Sequence, residues 1–181
     1  MEVLYINRLL TGEKLEKGMR LEMILVLLGT QNNSFVRLLE AIQLNIEKGI
    51  IQDEVVVQAG FTKFESKDMK IFNLIDTDEM SQLQDKADMI ITHGGVGSIV
   101  SSLKKKKKVI VVPRLKKYGE HVNNHQLQIA RRFGQDGYVR YVINLKNLGK
   151  AIESMDKFCP RDYESNESNV VFLVEQFIEN N

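Results

Sequence analysis

The sequence predicts an α/β fold with a doubly wound, mainly parallel, Rossmann-like sheet, and three observations carry that reading. Strand-like and helix-like segments alternate from residue 23 to residue 143. Several strand-like segments are apolar at every position, as strands covered on both faces are. Polar and glycine-rich residues follow the strands, at the edge where open α/β sheets collect their ligands.

The elements follow in order. Met23–Leu28 is a continuous apolar run that stops at Gly29. Asn33 or Ser34 is placed to cap a helix whose Phe35, Leu38, Leu39, Ile42 and Ile46 fall at helical spacing, with Gly49 ending it. Glu54–Gln58 is the second strand, closed by Ala59 and Gly60, and Met69–Ile75 is the third. Asp76–Ala87 reads as a capped helix, followed by the buried strand Met89–Ile91. A helix over Val96–Lys105 leads into the strand Val109–Val112, stopped by Pro113. Glu120–Phe133 is expected to be helical, with Gly134 and Gly137 breaking it before a last strand over Tyr138–Ile143. Two helices are expected at the end, over 146–157 and 168–179, separated by the loop at 159–162. Residues 1–22 lie outside the pattern as an extension of unclear role, in which Val3–Ile6 reads either as a short strand or as part of a tail. Residues 23–181 form the predicted domain.

Composition narrows the class. The chain has 181 residues, 43% hydrophobic, with 25 Lys and Arg against 24 Asp and Glu. That is enough for one core, and too apolar and too neutral for a disordered chain. The charge balance argues against nucleic acid as a partner, since such a binder needs a basic face. No apolar run approaches the ~20 residues that span a bilayer, and the charged first 20 residues lack the apolar block of a signal peptide. One cysteine, Cys159, makes no internal disulfide, in keeping with a cytoplasmic location. The run Lys104–Lys108 reads as a solvated turn at the negative end of a helix dipole.

Chemistry is sought after the strands. Thr92-His93-Gly94-Gly95-Val96-Gly97-Ser98 is the richest segment. Its glycines allow close approach of backbone to a ligand, and the helix that follows presents free N–H groups to a phosphate. It is not a P-loop, because no Gly-Lys-Ser/Thr follows, and Val100 stands where a dinucleotide fingerprint needs glycine. Asp76-Thr77-Asp78 has the look of a metal-binding triplet, but its place at a helix start suits a cap with an acidic first turn. His93, His121 and His125 are too scattered for a zinc site, so no metal is expected.

Three segments in order, Thr92–Ser98, Val109–Arg114 and Gly119-Glu120-His121-Val122-Asn123-Asn124-His125-Gln126, give the chain a resemblance. It resembles the C-terminal, nucleotide-binding half of family 28 glycosyltransferases over about Met23 to Ile143. Within that family it is most similar to the catalytic subunits of two-component exopolysaccharide and capsule glycosyltransferases, and to their counterpart in the dolichol pathway. The resemblance implies one half of a GT-B fold, no cofactor, and a UDP-sugar as donor. It also implies a membrane-anchored partner subunit that brings a polyprenyl-linked acceptor, with this chain peripheral at the inner face of the membrane. Uracil would be held at Ile75, the diphosphate at Gly29, Thr30 and the turn His93, Gly94, Gly95, Gly97 and Ser98, and the sugar hydroxyls at His125 and Gln126. Glu120 and His121 would face the donor sugar or the acceptor and are the candidate general bases. Arg114 and Lys116 are candidates to stabilise the charge that develops on the leaving UDP.

The chain departs from the family pattern at four positions. Ser101 stands where a glutamate usually meets the ribose, and a serine offers one neutral oxygen where a carboxylate offers two charged ones. Lys106 and Lys108 replace the usual Gly and Pro before the fifth strand, which predicts a differently built turn, and Asn124 replaces an aspartate. Ser101 also supports a second reading, a non-catalytic UDP-sugar-binding subunit that regulates or scaffolds such a complex.

Overall fold

The computed structural model describes residues 23–164. The extension at 1–22, the candidate strand at 3–6 and the helix expected over 168–179 lie outside the described residues. Six strands form one sheet: β1 (Met23–Leu27), β2 (Glu54–Gln58), β3 (Met69–Phe72), β4 (Met89–His93), β5 (Lys108–Val112) and β6 (Arg140–Tyr141). Their order is β3-β2-β1-β4-β5-β6, and every pairing is parallel. Among the described residues five α-helices accompany them: α1 (Val36–Glu47), α2 (Thr77–Lys86), α3 (Val96–Lys104), α4 (His125–Gln135) and α5 (Leu148–Glu153).

The all-apolar strands behave as their composition dictates. Successive residues point to opposite faces, so a strand apolar throughout needs cover on both. On one face Ile24, Val26, Val55, Val57 and Ile110 pack with Leu38, Leu39 and Ile42 of α1 and Leu148 and Ile152 of α5. On the other face Leu25, Leu27 and Val56 pack against Leu83 of α2. There too Val109 and Val111 meet Ile99 and Leu103 of α3 and Ala130 and Phe133 of α4. Each fully buried aliphatic side chain contributes about 1.5–3 kcal/mol.

Several boundaries differ from expectation, each for a local reason. Helix α1 starts one or two residues later than expected, at Val36, with Phe35 at the N-cap position and no side-chain cap. Neither Asn33 nor Ser34 caps it, and the Phe35 N–H instead donates to Thr62 Oγ1. Strand β3 ends at Phe72, which leaves Leu74 and Ile75 in the loop that leads to α2. Helix α4 begins at His125 rather than Glu120. The residues before it take local side-chain bonds that compete with a helix: Glu120 Oε2 accepts from Leu115 N–H, and Asn124 Oδ1 accepts from Lys116 N–H. The helix also runs through Gly134, where the ring of Tyr141 occupies the space a Cβ would fill. Strand β6 has only two residues. The segment expected as one helix over 146–157 is a 3-10 turn, α5 and a second 3-10 turn.

The lysine run is the turn between α3 and β5. Lys105 Nζ pairs with Asp85 at 2.7 Å, Lys107 Nζ donates to Asp85 O, and Lys108 Nζ donates to Met155 O. Lys106 sits at φ 56°, in the left-handed region. The turn therefore keeps the geometry that a glycine favours and tolerates a lysine there at a cost of roughly 1 kcal/mol.

Candidate functional site

The strand order reverses between β1 and β4, so the loops after these two strands diverge to opposite faces and leave a crevice at the carboxyl edge. Gln58, the last residue of β2, organises one side of it. Its Oε1 accepts from Gly29 N–H at 3.1 Å, and its Nε2 donates to Gly29 O and Asn73 O. One buried amide thereby fixes the ends of β1, β2 and β3 relative to one another.

His93 occupies the centre. Its ring is wedged between Gly29 (φ +76°) and Gly95, and a Cβ at either glycine would overlap it. His93 Nδ1 lies 3.2 Å from Leu27 O. A carbonyl only accepts, so Nδ1 carries the proton and Nε2 is bare. Burial pushes the His93 pKa down to about 4, and the nearby Arg114 charge works in the same direction. The ring is neutral at pH 7. It serves as a spacer that sets the distance between the two glycine loops.

Helix α3 opens at Gly95, and no side chain caps it. The Gly95 N–H itself donates back to His93 O at 2.7 Å. The amide donors left for a ligand are those of the first helical turn, Val96, Gly97 and Ser98, at the positive end of the helix dipole.

These features border a cleft of about 570 Å³. Of the residues singled out from the sequence, Gly29, Thr30, Ile75, His93, Gly95, Gly97, Ser98 and Ser101 line it. Sequence reasoning missed Gln58 and Lys105, and the α2 residues Met80, Ser81 and Gln84, which also line it. Asp76 is at its rim and caps α2, accepting from Glu79 N–H at 2.8 Å. Among the described residues no cluster of three or more His, Cys, Asp or Glu is arranged to hold a metal ion.

Gly94, Arg114, Glu120, His121, His125 and Gln126 belong to a neighbouring layer outside this cleft. Gly94 packs against Gln126, whose Oε1 accepts from Arg114 N–H. Arg114 is fully buried. Its guanidinium donates to Leu28 O at 2.8 Å, Asn33 O at 2.6 Å and Glu120 O at 3.4 Å, and stacks on Phe35. Burial lowers its pKa to about 10, so it stays charged at neutral pH. Its Nη1 and Nη2 are spent on these carbonyls, its buried Nε makes no hydrogen bond, and Arg114 does not line the cleft. Glu120 is likewise buried, and Arg37 holds it in a bidentate pair at 2.6 and 2.8 Å. Its carboxylate works inside the protein, fixing the loop after β5 to α1.

His121 is half-buried. Its Nδ1 accepts from Asn123 N–H at 3.2 Å, and its Nε2 lies 3.0 Å from Gln31 Nε2. Burial lowers its pKa. His125 starts α4, with its N–H held by Asn123 Oδ1. Together with Asn33 Nδ2 donating to Gly119 O, these bonds tie the loop after β1 to the loop after β5. Arg37 was not legible as part of this wall, because a charged residue on an amphipathic helix reads as solvated.

The depressed His93 pKa fixes a pH dependence. The unfolded chain binds a proton near pH 6.5 that the folded chain refuses until about pH 4. Stability from this group is therefore fully present above pH 6.5 and falls as pH drops toward 4. The loss is about 2 kcal/mol at pH 5 and approaches about 3 kcal/mol at lower pH. Urea unfolding of the parent and of His93→Asn across pH 8 to 5 reads it: the parent loses stability on acidification, and the variant loses about 2 kcal/mol less.

A parallel 3-2-1-4-5-6 sheet with its cleft at the switch point is a Rossmann-like half-domain of the GT-B type. The chain belongs to a particular family with that architecture: the glycosyltransferase family 28 C-terminal domain matches residues 23–180. It is 29% identical over 141 residues to the UDP-N-acetylglucosamine transferase subunit ALG13 of Candida glabrata, covering 75% of this chain and 65% of that protein. Against the Candida albicans ALG13 it is 29% identical over 66% of this chain and 39% of the relative. The chain thus spans less than two thirds of these relatives. Among solved structures, an NMR structure of ALG13 superposes with a TM-score of 0.57 at 23% identity, over 85% of this chain and 96% of that one. A UDP-GlcNAc 2-epimerase from Methanocaldococcus jannaschii superposes with a TM-score of 0.61 at 15% identity, over 95% of this chain and 49% of the epimerase. At these identities the superpositions show the fold.

Proposed function

We propose that this chain is the donor-binding subunit of a glycosyltransferase that moves a sugar from a UDP-sugar to a polyprenyl-pyrophosphate-linked saccharide. The single observation that carries the reading is the uncapped start of α3 opening into the switch-point cleft beside two glycine loops. A pyrophosphate placed there meets aligned N–H groups whose dipoles are already oriented. The base would lie against Leu74, Ile75 and Met80, which give the cleft its apolar side. The names of the ALG13 relatives support N-acetylglucosamine as the sugar and a subunit of a larger enzyme as the context.

The reaction is a direct displacement with inversion at the anomeric carbon, in which UDP leaves with its bond electrons. The first-turn amides of α3 take up the negative charge that grows on the leaving diphosphate, so donor binding needs no divalent ion. The acceptor hydroxyl must lose its proton to a base. Glu120 is committed to Arg37, and the His121 Nδ1 lone pair is committed to Asn123, so a membrane-anchored partner chain supplies the base together with the acceptor site. This chain would then work at the inner membrane face, held there by that partner. Lipid-linked acceptors of this kind are the units from which exopolysaccharide and capsule are assembled.

Two assays test the reading. Calorimetric titration of the purified chain with UDP in EDTA should show one site. Transfer from UDP-N-acetylglucosamine to a synthetic polyprenyl-pyrophosphate saccharide should require co-expression with the membrane-anchored partner. Absence of UDP uptake would overturn the donor role, and robust transfer by the chain alone would overturn the divided site.

A further inference from the structure

The interior end of the cleft contains a hydrogen-bond chain whose direction can be worked out. Ser101 Oγ and Ser102 Oγ both lie within reach of Ser98 O, at 3.2 and 2.6 Å. A carbonyl has no proton to give, so both hydroxyl hydrogens point at it. The two serine oxygens are left as acceptors, and they face the side-chain amide of Gln84 on α2, at 2.9 Å from Ser101 and 3.5 Å from Ser102. Only the NH2 end of that amide satisfies them. With its NH2 end on the serines, Gln84 directs Oε1 away from them. Gln84 is 4% exposed and lines the cleft, and its Oε1 takes no hydrogen bond from any described residue.

We propose that Gln84 Oε1 is the acceptor for a ribose hydroxyl of the bound nucleotide, and that Ser101 acts through Gln84 as a positioning residue. This rests on the reading that a uridine nucleotide fills the cleft. Gln84 lies one helical turn from Met80 on α2, and Ser101 one turn from Ser98 and Gly97 on α3. A nucleoside diphosphate with its base against Ile75 and Met80 and its phosphates at Gly97 and Ser98 carries its ribose between them, where these two side chains meet. A neutral amide oxygen, held by two serines, thus takes the place of a carboxylate on α3. Because the amide is pre-oriented, the hydroxyl meets an acceptor whose rotamer is already fixed, so little ordering is needed on binding.

Binding of UDP, 2′-deoxy-UDP and 3′-deoxy-UDP to the full chain tests this. The parent should bind UDP about tenfold more tightly than one of the deoxy compounds, the size expected for one hydrogen bond to a buried acceptor. Gln84→Met keeps the side-chain length and removes the acceptor. It should weaken UDP about tenfold, leave the deoxy compound unchanged and bring their ratio near one. Gln84→Glu, which keeps an acceptor, should retain the discrimination, and Ser101→Ala should give an intermediate ratio with thermal unfolding near that of the parent. An unchanged ratio in Gln84→Met, with UDP still bound, overturns this assignment alone. A parent chain that takes up no UDP overturns the donor reading and this assignment with it.

Discussion

Gly95→Ala is expected to cost the protein both stability and nucleotide affinity, through one added methyl group. Gly95 has φ −76°, so the backbone accepts alanine without strain. The new Cβ nevertheless overlaps His93 Nε2. The ring has nowhere to go, because Gly29 confines its other side and Leu27 O holds Nδ1. Overpacking of this kind costs about 1–3 kcal/mol. Whatever relief the ring finds moves it toward the cleft or spreads the two glycine loops, so UDP binding should fall on the order of tenfold to a hundredfold. Gly97 provides the contrast. Nothing lies within 4 Å of a Cβ built there, and alanine is the better helix former. Gly97→Ala should leave stability unchanged or raise it by up to about 1 kcal/mol. Chemical denaturation and UDP titration of the two variants read both effects.

Arg114→Met should give the largest loss of stability of any single change in the site layer. Methionine fills much of the volume but cannot donate. Leu28 O, Asn33 O and Glu120 O would lose their buried donor, and Glu120 would lose the second positive charge near it. Removing one side of such a buried charged network costs about 3–5 kcal/mol. Arg114→Lys should recover little, since a single ammonium cannot span carbonyls that the planar guanidinium reaches from two nitrogens. The loss should appear in urea unfolding as a lower midpoint with the slope retained. Equal stability of Arg114→Met and the parent would contradict this account of the loop wall.

These two residues also show what can be read from the sequence and what cannot. The strands β1, β2, β4 and β5 announce themselves because burial on both faces demands uninterrupted apolar residues, and no other local structure explains such short runs. From the alternation of strands and helices came the edge where the cleft lies, at the carboxyl ends of the strands, and the glycine turn at 92–98 stood out within it. The direction in which each polar side chain points is set by tertiary partners far away in sequence. Arg114 looks like a phosphate ligand until Leu28 and Asn33 are seen to surround it. Glu120 looks like a base until Arg37, on a helix 83 residues earlier, is seen to hold it. Gln84 was passed over because glutamine on a polar helix face carries no signal of its own. The start of α4 was misplaced for a similar reason: the side chains of Glu120 and Asn124 bond backbone of the preceding loop in ways that only the folded neighbourhood reveals. Lys106 is the converse case, a left-handed residue that no glycine marks.

The most direct measurement is a two-dimensional amide NMR titration of the chain with UDP in EDTA. The account predicts saturable shifts at Gly29, Thr30, Ile75, Val96, Gly97 and Ser98, with the side-chain amide of Gln84 moving alongside them. Shifts confined to the opposite strand edge near Asp53 and Asp88, or no shifts until a divalent cation is added, would contradict it.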